Sequence, residues 1–312
     1  MRKLGMVRNK IEGMIAAAFT PMKENGDVDT TKIPAMVEYL ISLGIKGLFV
    51  CGSTGEGPSL TTAERKEVAE AFVQASANRI PIFVHVGHNS IAEAKSLAAH
   101  AQMIGADYIS ATPPTYFKIS TVDTLIECLA VIASGAPELP FYYYNIPSFS
   151  GVSLDMRELL QRAEQSLPTL VGIKYTTPRI HEFQSCLNIN DREYDLLWGT
   201  DEMLLSALVV GAKGYIGSTY NFVAPLYHKL ISAFDHGDNK TAAQLQMISV
   251  EMVRLIAQYG GLAAQKYMMK LAGMDCGPVR LPLRDLYPAE KNSLEAALRK
   301  MGFFNWIKQP NE

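Results

Sequence analysis

Short apolar segments alternate with longer amphipathic segments along the first three quarters of the chain. Between the first two apolar segments, apolar residues recur every three or four positions from Ile33 to Ile41, which predicts an amphipathic helix. A second helix is predicted where Thr61-x-x-Glu64 has the pattern of a capping box. The apolar segments themselves have the length of buried strands, and they are Met14–Thr20, Gly47–Cys51, Ile80–Val86, Tyr108–Ala111, Pro140–Asn145, Thr169–Tyr175, Asp195–Trp198 and Gly214–Ser218.

A weak internal repeat supports this alternation. Each of three stretches has a helix end, a glycine, a short turn and a new strand: Ser42–Val50, Met103–Ile109 and Val209–Ile216. Glycine suits the left-handed position just after a helix. Eight strands alternating with helices predict an α/β fold of the (β/α)8 TIM-barrel class over residues 11–237. A doubly wound sheet is the alternative.

The pattern is helical only from about Asp238 onwards. An apolar stripe runs along one predicted helix through Leu245, Ile248, Met252, Leu255 and Ile256, and Ser293–Met301 forms another. No low-complexity linker precedes this region. We therefore predict a single domain over residues 1–312, in which residues 238–312 form a C-terminal helical extension packed on the barrel.

Composition narrows the class of protein. A hydrophobic fraction of 48% supports a large core, and 29 basic against 31 acidic residues give a net charge of −2. This balance gives no electrostatic basis for binding nucleic acid or an anionic membrane. The four cysteines are scattered without a C-x-x-C pair, and no uninterrupted apolar run is long enough to span a bilayer. We expect a cytoplasmic enzyme.

Lys174 is the most informative candidate residue. Alternation along the sixth predicted strand places Gly172, Lys174 and Thr176 on one face, near the strand end where barrel enzymes hold their catalytic groups. A lysine that points into a barrel loses hydration, which lowers its pKa and leaves a neutral amine able to form a Schiff base with a ketone. The alternative is a lysine that reaches solvent or pairs with a carboxylate.

The fifth predicted strand carries three consecutive tyrosines. Tyr142 and Tyr144 share a face, and Tyr143 points the other way. A tyrosine held beside an amine can transfer protons, which makes Tyr144 a candidate. For Tyr142 and Tyr143 we favour core packing.

Polar loops follow three of the predicted strands. Gly52–Gly57 combines hydroxyls, glycines and backbone N–H groups that suit a carboxylate or phosphate, although an ordinary turn would look similar. Gly199–Glu202 and Gly217–Asn221 suit a ligand with many hydroxyls. Asp201 could equally stabilise the start of the following helix.

Neither a metal site nor a nucleophilic serine is expected. His85 and His88 lie on strand-like sequence, where positions i and i+3 face opposite sides and cannot chelate one ion. No G-x-S-x-G motif is present to expose a serine nucleophile.

Four motifs together resemble a known family. Gly52-Ser-Thr-Gly-Glu56, Tyr144-Asn-Ile-Pro147, Gly172-Ile-Lys174 and Gly217-Ser-Thr-Tyr-Asn221 occur in the order and spacing of the N-acetylneuraminate lyase/dihydrodipicolinate synthase family, over about Ile11 to Met301. Synthases of this family usually carry an arginine two residues after the Tyr-Asn-x-Pro motif. Phe149 stands there and cannot bind a carboxylate by charge, so the resemblance is to the lyase branch.

The resemblance implies a class I aldolase that cleaves N-acetylneuraminate to N-acetyl-D-mannosamine and pyruvate without a cofactor or metal. It implies that Lys174 forms the Schiff base, that Tyr144 is the acid/base, and that a homotetramer forms. The residues implied in substrate binding are Ser53 and Thr54 for the pyruvate carboxylate, and Thr176, Gly199, Asp201, Glu202 and Ser218 for the sugar hydroxyls.

Two alternatives stay open within this resemblance. One is an aldolase for another 2-keto-3-deoxy sugar acid, and the other is a catalytically silent member that binds keto acids. Leu262 stands where the family carries an aromatic residue in a late substrate loop, so we do not expect this loop to contribute to the site. Tyr116 lies in the region from which the family donates a tyrosine across a subunit interface.

Overall fold

Eight parallel strands form a closed barrel in the computed structural model, which describes residues 10–189 and 193–307. The strands follow one another around the barrel in chain order, and β8 closes it by pairing with β1, where Ile216 lies opposite Ile15. The predicted TIM barrel is thus confirmed, and the doubly wound alternative is wrong. The strands are β1 (Gly13–Ala17), β2 (Gly47–Val50), β3 (Ile82–His85), β4 (Tyr108–Ala111), β5 (Phe141–Asn145), β6 (Leu170–Tyr175), β7 (Asp195–Trp198) and β8 (Gly214–Gly217).

Helices surround the barrel and extend beyond it. Those between or directly after the strands are α1 (Ile33–Ser42), α2 (Thr62–Ser76), α3 (Ile91–Met103), α4 (Val122–Ala133), α5 (Pro147–Ser150), α6 (Met156–Arg162), α7 (Ile180–Leu187), α8 (Leu204–Val209) and α9 (Tyr220–Asp235). The two predicted C-terminal helices are confirmed as α10 (Asn239–Gln258) and α12 (Pro288–Lys300), and α11 (Leu262–Leu271) lies between them in the chain. The predicted domain also includes 1–9, 190–192 and 308–312, which lie outside the described residues.

The buried side chains form two clusters, one between strands and helices and one inside the barrel. Tyr142 belongs to the barrel interior, where its hydroxyl donates a 2.7 Å hydrogen bond to Asp195 Oδ2. Tyr143 packs in the outer cluster and is fully buried. Both tyrosines are therefore core residues, as predicted. Tyr144 also faces the interior, on the same side of β5 as Tyr142.

The C-terminal helices are tied to the open end of the barrel by hydrogen bonds. On α10, Gln246 Oε1 accepts from Leu205 N at 2.7 Å, and its Nε2 donates to the carbonyl of Asp201 at 3.3 Å. Ser249 Oγ, one turn further along, bonds the hydroxyl of Tyr227 on α9 at 2.8 Å. The extension thus holds the segment after β7 in place. Within 10–189 and 193–307, no helix is long and apolar enough to cross a membrane.

Candidate active site

The structure brings all nine predicted site residues to one cavity of about 290 Å³ at the carboxyl ends of the strands. These residues lie near the carboxyl ends of β5 and β6 or in the loops after β2, β6, β7 and β8, and neighbouring parallel strands end at the same edge of the barrel. They are Ser53, Thr54, Tyr144, Lys174, Thr176, Gly199, Asp201, Glu202 and Ser218.

Lys174 extends from β6 into the barrel and is 4% exposed, so it does not reach bulk solvent. Its Nζ lies 3.9 Å from the ring centroid of Phe49 and 3.9 Å from that of Tyr144. Burial lowers the pKa of Lys174 from 10.5 to about 7, although the negative charge of Asp201 acts in the opposite direction. A large share of this amine is therefore neutral near pH 7.

Tyr144 keeps its proton over the physiological range. Burial raises the pKa of its phenol to about 12, while the nearby hydroxyls of Ser53 and Thr176 lower it by a smaller amount. Thr176 Oγ1 itself has no well-aligned hydrogen bond. The phenol can thus donate a proton or a hydrogen bond to a group bound beside the amine.

Asp201 is oriented by the loop after β8 rather than by its own helix. Its Oδ2 accepts from Thr219 N at 2.9 Å and from Thr219 Oγ1 at 2.6 Å, and no side-chain cap is seen at the start of its own helical turn. Asp201 stands in the acidic first turn of this helical segment, but the hydrogen bonds of its side chain go to Thr219. Burial raises the pKa of Asp201 to about 6, against the opposing effect of the Thr219 hydrogen bonds.

Two positions at this cavity require glycine, because polar atoms of other residues lie close to their backbone. A Cβ on Gly217 would lie 2.1 Å from Asp201 Oδ1. A Cβ on Gly199 would lie 2.1 Å from Thr176 Oγ1. Because no real side chain tolerates such distances, both glycines let polar groups approach the backbone at the strand ends.

The loop after β2, which carries Ser53 and Thr54, has a residue in an unusual backbone conformation on either side of them. Cys51 and Glu56 flank it with φ values of 58° and 55°, in the left-handed region that non-glycine residues rarely adopt. Thr20 Oγ1 donates to the carbonyl of Gly55 at 2.6 Å and ties the loop to the segment after β1. Strain of this kind is typical of functional loops.

Sequence reasoning missed a buried ion pair beneath this loop. Lys266 Nζ on α11 lies 2.6 Å from Glu56 Oε1, with both side chains buried, and donates to the carbonyl of Pro278 at 2.7 Å. Arg280 N donates to the other Glu56 oxygen at 2.7 Å. The pair connects the loop with the C-terminal extension. Its partners are too distant in the chain for any local pattern to reveal it.

The late substrate loop, which we did not expect to contribute to the site, lines the cavity. The cavity is closed on one side by Val253, Ile256, Gly261, Leu262 and Gln265. The apolar stripe on α10 could have indicated part of this wall, since Ile256 belongs to it.

His85 is a further neighbour that sequence reasoning did not assign. Its ring packs edge to face on Tyr144 with centroids 5.7 Å apart. Burial and the positive charges of Arg65 and Lys174 hold its pKa well below 6.5. Gly87 N donates to His85 Nδ1 at 2.9 Å, so this neutral imidazole carries its proton on Nε2. Among the described residues, no group of three or more His, Cys, Asp or Glu could hold a metal ion.

The TIM barrel thus holds a buried lysine with a lowered pKa in a polar cavity at the carboxyl ends of its strands, where barrel enzymes place their active sites. The chain belongs to the dihydrodipicolinate synthetase family, whose model matches residues 10–301.

Individual relatives agree with this assignment. A Mus musculus protein named N-acetylneuraminate lyase is 39% identical over 303 residues, which cover 96% of this chain and 95% of the relative. The structure of Proteus mirabilis N-acetylneuraminate lyase superposes with a TM-score of 0.92 at 39% identity, covering 95% of this chain and 100% of that one. That of the Aliivibrio salmonicida lyase (sialic acid aldolase) also gives 0.92, at 38% identity, covering 96% and 99%.

Proposed function

We propose that this protein is an N-acetylneuraminate lyase, a class I aldolase that reversibly cleaves N-acetylneuraminate to N-acetyl-D-mannosamine and pyruvate. The observation that carries the proposal is Lys174, a buried amine with a pKa of about 7 between two aromatic rings in a hydroxyl-lined cavity. The names of the most similar relatives support the choice of substrate.

The first step joins Lys174 to the substrate. The neutral amine attacks C2, the ketone carbon of the open-chain sugar acid, and loss of water gives a protonated imine. Ser53 and Thr54 bind the adjacent carboxylate with hydroxyl and backbone N–H groups. The faces of the Phe49 and Tyr144 rings stabilise the positive charge at nitrogen.

The second step breaks the C3–C4 bond. The protonated imine accepts the bond electrons and becomes an enamine, while the C4 hydroxyl loses its proton and becomes the aldehyde of N-acetylmannosamine. Because the phenol of Tyr144 starts protonated, it accepts the C4 proton while passing its own proton to the substrate carboxylate. Protonation of the enamine at C3 and hydrolysis of the imine then release pyruvate and restore the amine of Lys174.

The sugar part is bound by the loops after β6, β7 and β8. Thr176, Glu202 and Ser218 offer side-chain partners for hydroxyls, and Gly199 offers its backbone. Asp201 is an acceptor with a fixed direction, because Thr219 holds one of its oxygens. Phe149 replaces the charged group that would hold a second carboxylate.

The substrate is tested by comparing kcat/KM for N-acetylneuraminate with kcat/KM for six-carbon 2-keto-3-deoxy sugar acids, with pyruvate release as the readout. We expect a clear preference for N-acetylneuraminate. A preference for the shorter acids would overturn the substrate assignment and leave the chemistry of Lys174 in place. Binding of keto acids without any turnover would instead favour a silent family member.

We further propose a cytoplasmic homotetramer. The supporting feature is an aromatic pair, Tyr116 and Phe117, whose side chains are 79% and 82% exposed after β4. Exposed aromatic residues are common in protein interfaces. Light scattering coupled to chromatography should give four times the chain mass, and a monomer mass would contradict this proposal.

A further inference from the structure

The cavity has two kinds of wall. The barrel loops supply the polar groups described above. The other wall consists mainly of apolar residues from α10, α11 and their connection. Within the described part of the chain, Val253, Ile256, Gly261 and Leu262 on this wall carry no polar side-chain group. Gln265 is the exception, one turn into α11.

The amide of Gln265 has an unused acceptor. Its Oε1 is shielded from solvent and accepts no hydrogen bond. Buried polar atoms are normally satisfied, and an unsatisfied one costs as much as a lost hydrogen bond. Because Gln265 is part of the cavity wall, a donor that arrives with the ligand can satisfy this oxygen once the amide turns toward the cavity.

The position of Gln265 is fixed by its neighbour. Lys266 is anchored by Glu56 at 2.6 Å and by the carbonyl of Pro278 at 2.7 Å. Glu56 belongs to the same loop as Ser53, and its backbone N–H donates to the Ser53 carbonyl at 3.1 Å. Helix α11, which carries Gln265, is thus held at a fixed position relative to the loop that we assign to the substrate carboxylate.

We propose that Gln265 is a specificity-determining residue whose amide oxygen accepts a hydrogen bond from a hydroxyl of the substrate tail, at C7 to C9. This inference rests on the proposed function. A sugar acid held at its keto acid end by Lys174 and Ser53 has its far end free to reach the helical wall. Shorter keto acids of six carbons lack the C7–C9 hydroxyls and make no use of Gln265.

The test replaces Gln265 with leucine, which is similar in size and cannot accept a hydrogen bond. Losing one neutral hydrogen bond should lower kcat/KM for N-acetylneuraminate by about 3- to 10-fold. The variant should keep kcat/KM for a six-carbon 2-keto-3-deoxy acid and the rate of borohydride trapping of pyruvate within about twofold of wild type. Gln258→Leu, an exposed glutamine at the end of α10, is the matched control and should change neither substrate.

Two results would overturn the inference. An unchanged kcat/KM for N-acetylneuraminate in Gln265→Leu would show that the amide makes no contact with the tail. Equal losses on the long and the short substrate would show that Gln265 acts only through the shape of the site. Failure of the wild-type enzyme to cleave N-acetylneuraminate would instead overturn the proposed function, and the two failures are therefore distinguishable.

Discussion

The pH dependence of cleavage should report the pKa of the buried amine of Lys174. Burial lowers this pKa from 10.5 to about 7. At pH 7 about half of the amine is then neutral, whereas an exposed lysine would be neutral in only about one molecule in 3,000. The fold therefore raises the concentration of the reactive form by about three orders of magnitude at this pH.

The assay is kcat/KM for N-acetylneuraminate between pH 5 and pH 10, with released pyruvate quantified by chromatography. Because this ratio reports groups of the free enzyme, it should fall about tenfold per pH unit below pH 7 and level off above it. A continued tenfold rise per unit between pH 8 and pH 10 would refute the reasoning, since it would indicate a lysine with an ordinary pKa.

The variant Asp201→Asn tests the electrostatic part of this prediction. Asp201 raises the pKa of Lys174 by its negative charge, so Asp201→Asn should move the midpoint of the profile to lower pH and weaken discrimination between sugars. Glu202→Gln is the matched control, because the charge of Glu202 is not among the causes that shift Lys174. A midpoint that moves to higher pH in Asp201→Asn would contradict the electrostatic argument.

Two further substitutions test the close packing at Gly217 and the buried ion pair between Glu56 and Lys266. Gly217→Ala would place a methyl group 2.1 Å from a carboxylate oxygen of Asp201, and the resulting displacement should lower kcat/KM by about 100-fold; wild-type kinetics would show that the loop adapts. Glu56→Gln leaves the buried charge of Lys266 unpaired and should lower the free energy of unfolding in urea by about 3–5 kcal/mol. Glu251→Gln, which breaks an exposed ion pair with Arg254, should lower the free energy of unfolding by at most about 1 kcal/mol. Equal losses in Glu56→Gln and Glu251→Gln would contradict the argument from burial.

Most of the barrel and the position of Lys174 could be predicted from local pattern, and the family resemblance indicated the other residues that line the cavity. Alternation along β6 places Lys174 inside, and the rule that barrel enzymes work at the carboxyl ends of strands selects the following loops. Strand ends were less accurate: β1 ends at Ala17 rather than Thr20, whose hydroxyl instead bonds the loop after β2.

The C-terminal extension was harder to predict. Helix α12 begins at Pro288 rather than Ser293, because its first turn is polar and its start is marked by Glu290, whose side chain accepts from Tyr287 N at 2.8 Å. The contribution of Gln265 to the cavity and the Glu56–Lys266 pair depend on how α11 packs against the barrel. No periodicity within one segment contains that information.

The most direct test of the central claim is borohydride reduction in the presence of pyruvate, followed by peptide mapping. The account predicts one reduced adduct, on Lys174, and none in Lys174→Ala. Lys266 is an internal comparison, since it is equally buried but paired with Glu56. Absence of an adduct on Lys174, or an adduct on Lys266 in its place, would contradict the Schiff-base mechanism.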